Sequence, residues 1–257
     1  MCFVLRASRF VFRIFYLVLV WSWLCQFKNV YLYGKVVFFT SLFYEGWLAI
    51  GEKIRIRFSK SGDIRFISHN DLMRTIERII RRANIPIAMS KGFNPHPKIS
   101  MPLALGVGMS GEDEILELEL LHHEPLELLA ERFRRQLPEG IRIVSARQIP
   151  LSERGAVDNV TYKIIFKNKD ILQTLKIEDF WNEHSIVIKR MKKEVQKSVE
   201  IRSSVQKIWR ENEALFLTFR LTPDGMPRPE EVVSALGVDI NNELFEIIRT
   251  EVDISSV

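Results

Sequence analysis

Lys53-Ile54-Arg55-Ile56-Arg57-Phe58 alternates basic and apolar residues with a period of two, the pattern of a strand with one buried face. Ser61-Gly62-Asp63 then reads as a turn, and Ser68 as the N-cap of a helix with Asp71 completing a capping box. Leu72, Ile76, Ile79, Ile80 and Ala83 form the apolar stripe of that helix, which Asn84 and Pro86 end. Residues 99–105 and 114–121 read as strands, 125–137 as a helix with proline near its start, and 141–149 as a closing strand. The order β-α-β-β-α-β predicts a ferredoxin-like split unit.

Beyond Leu151 the apolar pattern lapses into a linker that reaches about Asn159. Strands are then predicted over 160–166, 185–190, 199–202, 205–210, 215–221 and 244–254, with helices over 170–183 and 229–236. The expected fold class is α+β: two tandem ferredoxin-like (βαββαβ-type) α/β sandwich halves, 51–150 and 151–257, the second with one extra strand. No sequence repeat relates the halves.

Residues 1–50 differ from this body. They hold 15 of the 27 aromatic residues, both cysteines (Cys2 and Cys25), five Lys/Arg and one acid, whereas residues 51–257 hold 32 basic and 31 acidic residues. The apolar run from Ile14 to Cys25 is shorter than the roughly 20 residues a spanning helix needs, and no small-residue cleavage site follows it. This extension reads as non-native or disordered, either a misassigned start or a weak anchor. Membrane contact is not expected unless it is genuine, and the body is expected to be cytoplasmic. With no cysteine after residue 50, the body itself cannot hold a Cys-ligated iron–sulfur cluster.

Charge within the body is local. Residues 51–100 carry a net +7, residues 101–150 a net −4. Arg74, Arg78, Arg81 and Arg82 fall on the helix face opposite the aliphatic stripe, with Arg55 and Arg57 on the preceding strand, and guanidinium groups fork onto phosphate oxygens. Salt bridges to Glu77 or to the acids of 112–119 are the alternative use of these arginines. Downstream, Ser90-Lys91-Gly92-Phe93-Asn94-Pro95-His96-Pro97-Lys98 collects a hydroxyl, two lysines, an amide and a histidine in a segment stiffened by two prolines.

The binding residues predicted for a polyanion are Arg74, Arg78, Arg81, Ser90, Lys91, Asn94 and Lys98, provided the helix start and the proline-rich segment form one pocket. His69 and His96 are the catalytic candidates, as general base and acid, with capping and structural packing as their alternatives. No His-x-His, His-x-x-x-His or cysteine pair supports a metal site. Lys91-Gly92-Phe93 matches the opening of an RNA-recognition-motif strand, yet Pro95 and Pro97 would break such a strand.

From about Lys53 to Asp253 the chain resembles the bacterial radical SAM-linked protein family, a domain of unknown function. The likeness is carried by Lys53-Ile54-Arg55, Phe58-Ser59-Lys60-Ser61-Gly62, Phe66-Ile67-Ser68-His69, Asp71-Leu72, Arg74, Arg78, Arg81-Arg82-Ala83, Pro86, Ser90 and Gly92-Phe93-Asn94-Pro95-His96-Pro97-Lys98. Asn70 departs from the leucine expected after the histidine. The resemblance implies an accessory subunit, fused to or encoded beside a radical SAM protein with a cobalamin-binding-like region, in an RNA-related setting. The chain itself would carry no cofactor; the partner would carry the iron–sulfur cluster, SAM and cobalamin. Three functions are therefore expected in turn: an RNA-binding accessory subunit in RNA modification or maturation, a metal-independent endoribonuclease using His69 and His96, similar to the RAMP endoribonucleases, and a scaffold for the partner without RNA contact.

Overall fold

The computed structural model describes residues 51–153, 155–192, 195–222 and 225–256, so the expectations for residues 1–50 lie outside the described residues. In chain order the elements are β1 (Glu52–Lys60), α1 (His69–Arg82), β2 (Ile99–Ser100), β3 (Ser110–Leu120), α2 (Leu126–Arg134), β4 (Ile141–Ile149) and β5 (Gly155–Phe166). They continue with α3 (Ile171–Thr174), α4 (Ile177–Asn182), β6 (Val187–Lys192), β7 (Val195–Glu200), β8 (Val205–Glu211), β9 (Ala214–Arg220), α5 (Pro229–Ala235), α6 (Ile240–Glu243) and β10 (Leu244–Ser256). This is a mixed α+β fold with one large sheet and few helices.

The large sheet runs β4-β1-β3-β10-β5-β9-β8, with β2 on the edge of β3 and β6-β7 as a separate hairpin. Instead of two independent sheets, the last strand joins the two halves: β10 pairs antiparallel with β5 along its length and parallel with β3 at Ile248↔Ser110 and Arg249↔Gly111. The 99–105 strand shrinks to Ile99–Ser100, and the predicted 170–183 helix divides at Leu175, whose extended backbone (ψ 129°) sends its side chain into the core.

Alternation along β3 explains the layering. Leu116, Leu118 and Leu120 face α1 and α2, where they pack with Ile54, Ile56, Phe58, Leu72, Ile76, Ile79 and Phe133. Ile115 points the other way and belongs to the second core, formed around Val160, Ile164, Leu217, Phe219, Val232 and Val233. The α1 stripe read from the sequence is the buried face observed, and Ser68 caps the helix by accepting from the Asp71 N–H at 3.2 Å.

The face of β1 and β3 turned away from α1 is charged yet buried. Arg55 is 1% exposed and donates to Glu117 at 2.7 and 2.9 Å, Lys53 lies 2.6 Å from Glu117, and Glu153 approaches Arg55 to 2.8 Å. Gly155 packs closely on this group: a Cβ there would stand 2.8 Å from Arg55 Nη2, so a larger residue would have to displace the guanidinium. At the other end of the strands, Arg249 of β10 donates to Glu114 of β3 through Nε at 2.7 Å and through Nη2, while Nη1 and Nη2 also reach the Ala104 and Leu103 carbonyls at 3.1 Å.

Lys60 is fully buried beside that pair. Among the described residues its Nζ donates to the Ile67 and Arg65 carbonyls alone, at 3.3 and 3.4 Å. Burial holds its amine below the ordinary lysine value; Glu114 opposes that shift and Arg249 adds to it. Between the lowered value and the ordinary one near 10.4, the unfolded chain binds more protons than the folded one, so stability rises with pH in that window. Denaturant melts of wild type and Lys60→Met across pH 7 to 10.5 should show wild type gaining on the variant as pH rises; a constant difference would refute a depressed Lys60.

Candidate nucleic-acid interface

The proline-rich segment is an excursion from the edge of β3. The chain follows that edge from the Ile87↔Leu120 bridge, leaves it at Ala88, whose N–H donates to the Glu119 carbonyl at 2.7 Å, and returns at Lys98, whose carbonyl accepts from the Glu119 N–H at 3.1 Å. The intervening loop is braced across its stem. Lys98 N–H donates to the Ala88 carbonyl, Ser90 N–H to the His96 carbonyl and His96 N–H to Ser90 Oγ, at 2.8, 2.8 and 2.9 Å, and Met89 bridges Pro97. Gly92 turns the tip with φ 134°, a value that side-chain-bearing residues rarely adopt.

Ser90 is thus a structural brace as well as a candidate contact. Lys98 is held at 2.5 Å by Glu119, which reduces its availability to a phosphate. Lys91, Asn94 and His96 are exposed, and their own side chains make no hydrogen bond or ion pair among the described residues.

On α1, Arg74 forms an exposed ion pair with Asp71 at 3.2 Å. Arg78, Arg81 and Arg82 are exposed and have no ion-pair or hydrogen-bond partner among the described residues. Arg81 and Arg82 occupy the last turn, where the helix dipole favours cations. The β1 arginines behave differently: Arg55 is bound by Glu117 and Glu153, and Arg57 by Asp113. For them the salt-bridge alternative holds, and they do not add to the cationic surface.

The topology separates the helix start from the stem of the proline-rich loop, the two segments expected to share a pocket. Lys60 Nζ reaches the Ile67 carbonyl just before α1, and Lys60 pairs with Gly111 at the beginning of β3. The loop stem sits at Glu119, eight residues further along β3, roughly 26 Å away at the usual rise of a strand. His69 and the loop base therefore lie toward opposite ends of β3, whereas Ile85 and Pro86 carry the chain from the C-terminal end of α1, with Arg81 and Arg82, directly into the loop. His69 itself is half-buried, with Nδ1 enclosed and unpartnered.

Several features carried no clear sequence signal. Glu114 and Arg249 pair across 135 residues of sequence, with Lys60 buried beside them. A cavity of about 590 Å³ in the second half is lined by Ile186, Ile188, Arg228, Glu230, Glu231, Ser234, Ala235 and Ile240. No group of three or more His, Cys, Asp or Glu side chains able to hold a metal ion occurs among the described residues, and no helix among them is long and apolar enough to cross a membrane.

Fold and surface together define an α+β protein with a mixed sheet and a cationic helix face leading into a braced loop. Residues 53–227 match the bacterial family described as an uncharacterized protein conserved in bacteria (DUF2344), and the chain belongs to that family. No curated protein matches it.

Proposed function

We propose that this protein is an RNA-binding accessory subunit that works with a separate radical SAM protein in RNA modification or maturation. The observation that carries the reading is the contrast in pairing: Arg55, Arg57 and Arg249 are satisfied by acids, while Arg78, Arg81, Arg82 and Lys91 are exposed and unpartnered on consecutive stretches of chain. Unpaired guanidinium groups on a surface are free to exchange counterions for phosphates. Arg74 lies on the same helix as the free arginines, and Ser90, Asn94, His96 and Lys98 lie on the same loop as Lys91; in this reading they supply further contacts to the RNA.

The radical SAM partner in this reading follows from the family resemblance, which also assigns it the SAM, the cobalamin and a cytoplasmic setting; the absence of cysteine from residues 51–257 is consistent with a Cys-ligated cluster lying on another chain. On this reading the first half is a ferredoxin-like unit, as the strand order β4-β1-β3-β2 supports, and the second half is a related unit fused to it through β10. Cleavage by His69 and His96 has less support, since a base and an acid acting on one phosphate must both reach it.

Filter binding of short single-stranded RNA across 50–300 mM salt tests the proposal. Three or four phosphate contacts should give a log–log slope of about −2 to −3. Absent binding, or affinity indifferent to salt, would reject it.

A further inference from the structure

The loop tip carries a side chain that polyanion binding leaves unused. Phe93 is 106% exposed, so its ring stands wholly in solvent. Single exposed apolar residues are common and need no special role. Phe93 differs in its setting. The loop beneath it is closed by the paired Ser90 and His96 contacts, the Met89–Pro97 bridge and two prolines, so the ring is presented on a stiff mount. The side chains of its neighbours Lys91, Asn94 and His96 are all exposed and make no hydrogen bond or ion pair among the described residues. Phe66, another exposed phenylalanine, has the Arg65 guanidinium over its ring at 4.9 Å.

We infer that Phe93 is a stacking platform for an unpaired base of single-stranded RNA, with Lys91 beside it on the adjoining phosphate. This rests on the RNA-binding reading and adds to it the class of RNA and the residue that selects it. A flat base covers one face of the ring while leaving the flanking amine and imidazole in water. An apolar groove on a partner protein would instead take Lys91, Asn94 and His96 out of water without partners, at a cost that opposes docking. Base–aromatic stacking is tolerant of sequence, so the loop would favour unpaired over duplex RNA and show little base preference.

The test compares the full chain with Phe93→Ala and Phe93→Trp, at one salt concentration, on three fluorescent probes: a mixed-sequence single-stranded oligoribonucleotide, a duplex of the same length, and an abasic ribose-phosphate oligomer. Phe93→Ala should weaken single-strand binding roughly 5- to 100-fold. It should leave the abasic oligomer and the salt slope unchanged. Phe93→Trp should bind as wild type does, with its added emission quenched by RNA.

Single-strand affinity unchanged in Phe93→Ala, against salt-dependent wild-type binding, would overturn the stacking inference and leave RNA binding standing. Equal loss on the abasic oligomer would overturn it too, by showing that Phe93 only supports the loop. So would unchanged RNA binding accompanied by lost binding to anionic phospholipid vesicles or to a co-purifying protein. Wild type that binds none of the three probes removes the stacking inference and the RNA-binding reading together.

Discussion

Glu114→Gln should destabilise the protein by about 3–5 kcal/mol, the range for breaking a buried ion pair by removing one partner. The Arg249 guanidinium is 1% exposed and Glu114 supplies its counter-charge through two contacts; the amide that replaces the carboxylate leaves a cation buried between Lys60 and the Leu103 and Ala104 carbonyls. Removing both charges is a different experiment. The double variant Glu114→Leu/Arg249→Met should recover most of the loss, because a buried pair contributes little net stability over apolar residues of similar size. Equilibrium urea unfolding of the two variants and wild type measures this, and a single variant as stable as wild type would show that the pair is solvated.

Reversing Arg78 and Arg81 to glutamate should cut RNA affinity by about 100-fold or more in 50 mM salt and make the salt slope shallower by about 1.4, two contacts at roughly 0.7 each. Both side chains are exposed and unpartnered, so the variant should fold normally. Arg220→Glu/Lys167→Glu serves as the control: both residues are exposed, they belong to the second half, and the pair changes net charge by the same amount. Equal losses in the two double variants would mean that overall charge drives binding. If neither variant binds less well than wild type, α1 is not the contact surface. A variant that still co-purifies with a protein partner but no longer binds RNA would separate the subunit's two proposed roles.

Local structure was largely legible in the sequence. The α1 helix follows from its stripe and its Ser68 cap, and β4 begins and ends where the 141–149 pattern does. The joining of the halves was not legible, because the β3–β10 pairing depends on residues more than 130 positions apart and touches only two pairs. The same limit governed the site. Alternation along β1 places Arg55 and Arg57 on one face, but the acids that neutralise them, Glu117, Glu153 and Asp113, come from other segments. Proximity in sequence suggested that His69 and the proline-rich loop would share a pocket, whereas the length of β3 sets the helix start and the loop stem apart. Conversely, the free arginines could be recognised as a stripe, though only the absence of an ion pair to them among the described residues sets them apart from the others.

The insertion of β10 between β3 and β5 governs the order in which this protein can be completed on a ribosome. When β3 emerges, its edge at Ser110 and Gly111 and the carboxylate of Glu114 wait for a strand encoded some 130 codons later. At 5–20 residues per second that interval is on the order of 6–26 s, during which the nascent chain carries an open β-edge and an uncompensated acid. A chaperone that shields the N-terminal half, or a slow stretch of codons placed before β10, would therefore act on this protein's yield far more than on its final stability.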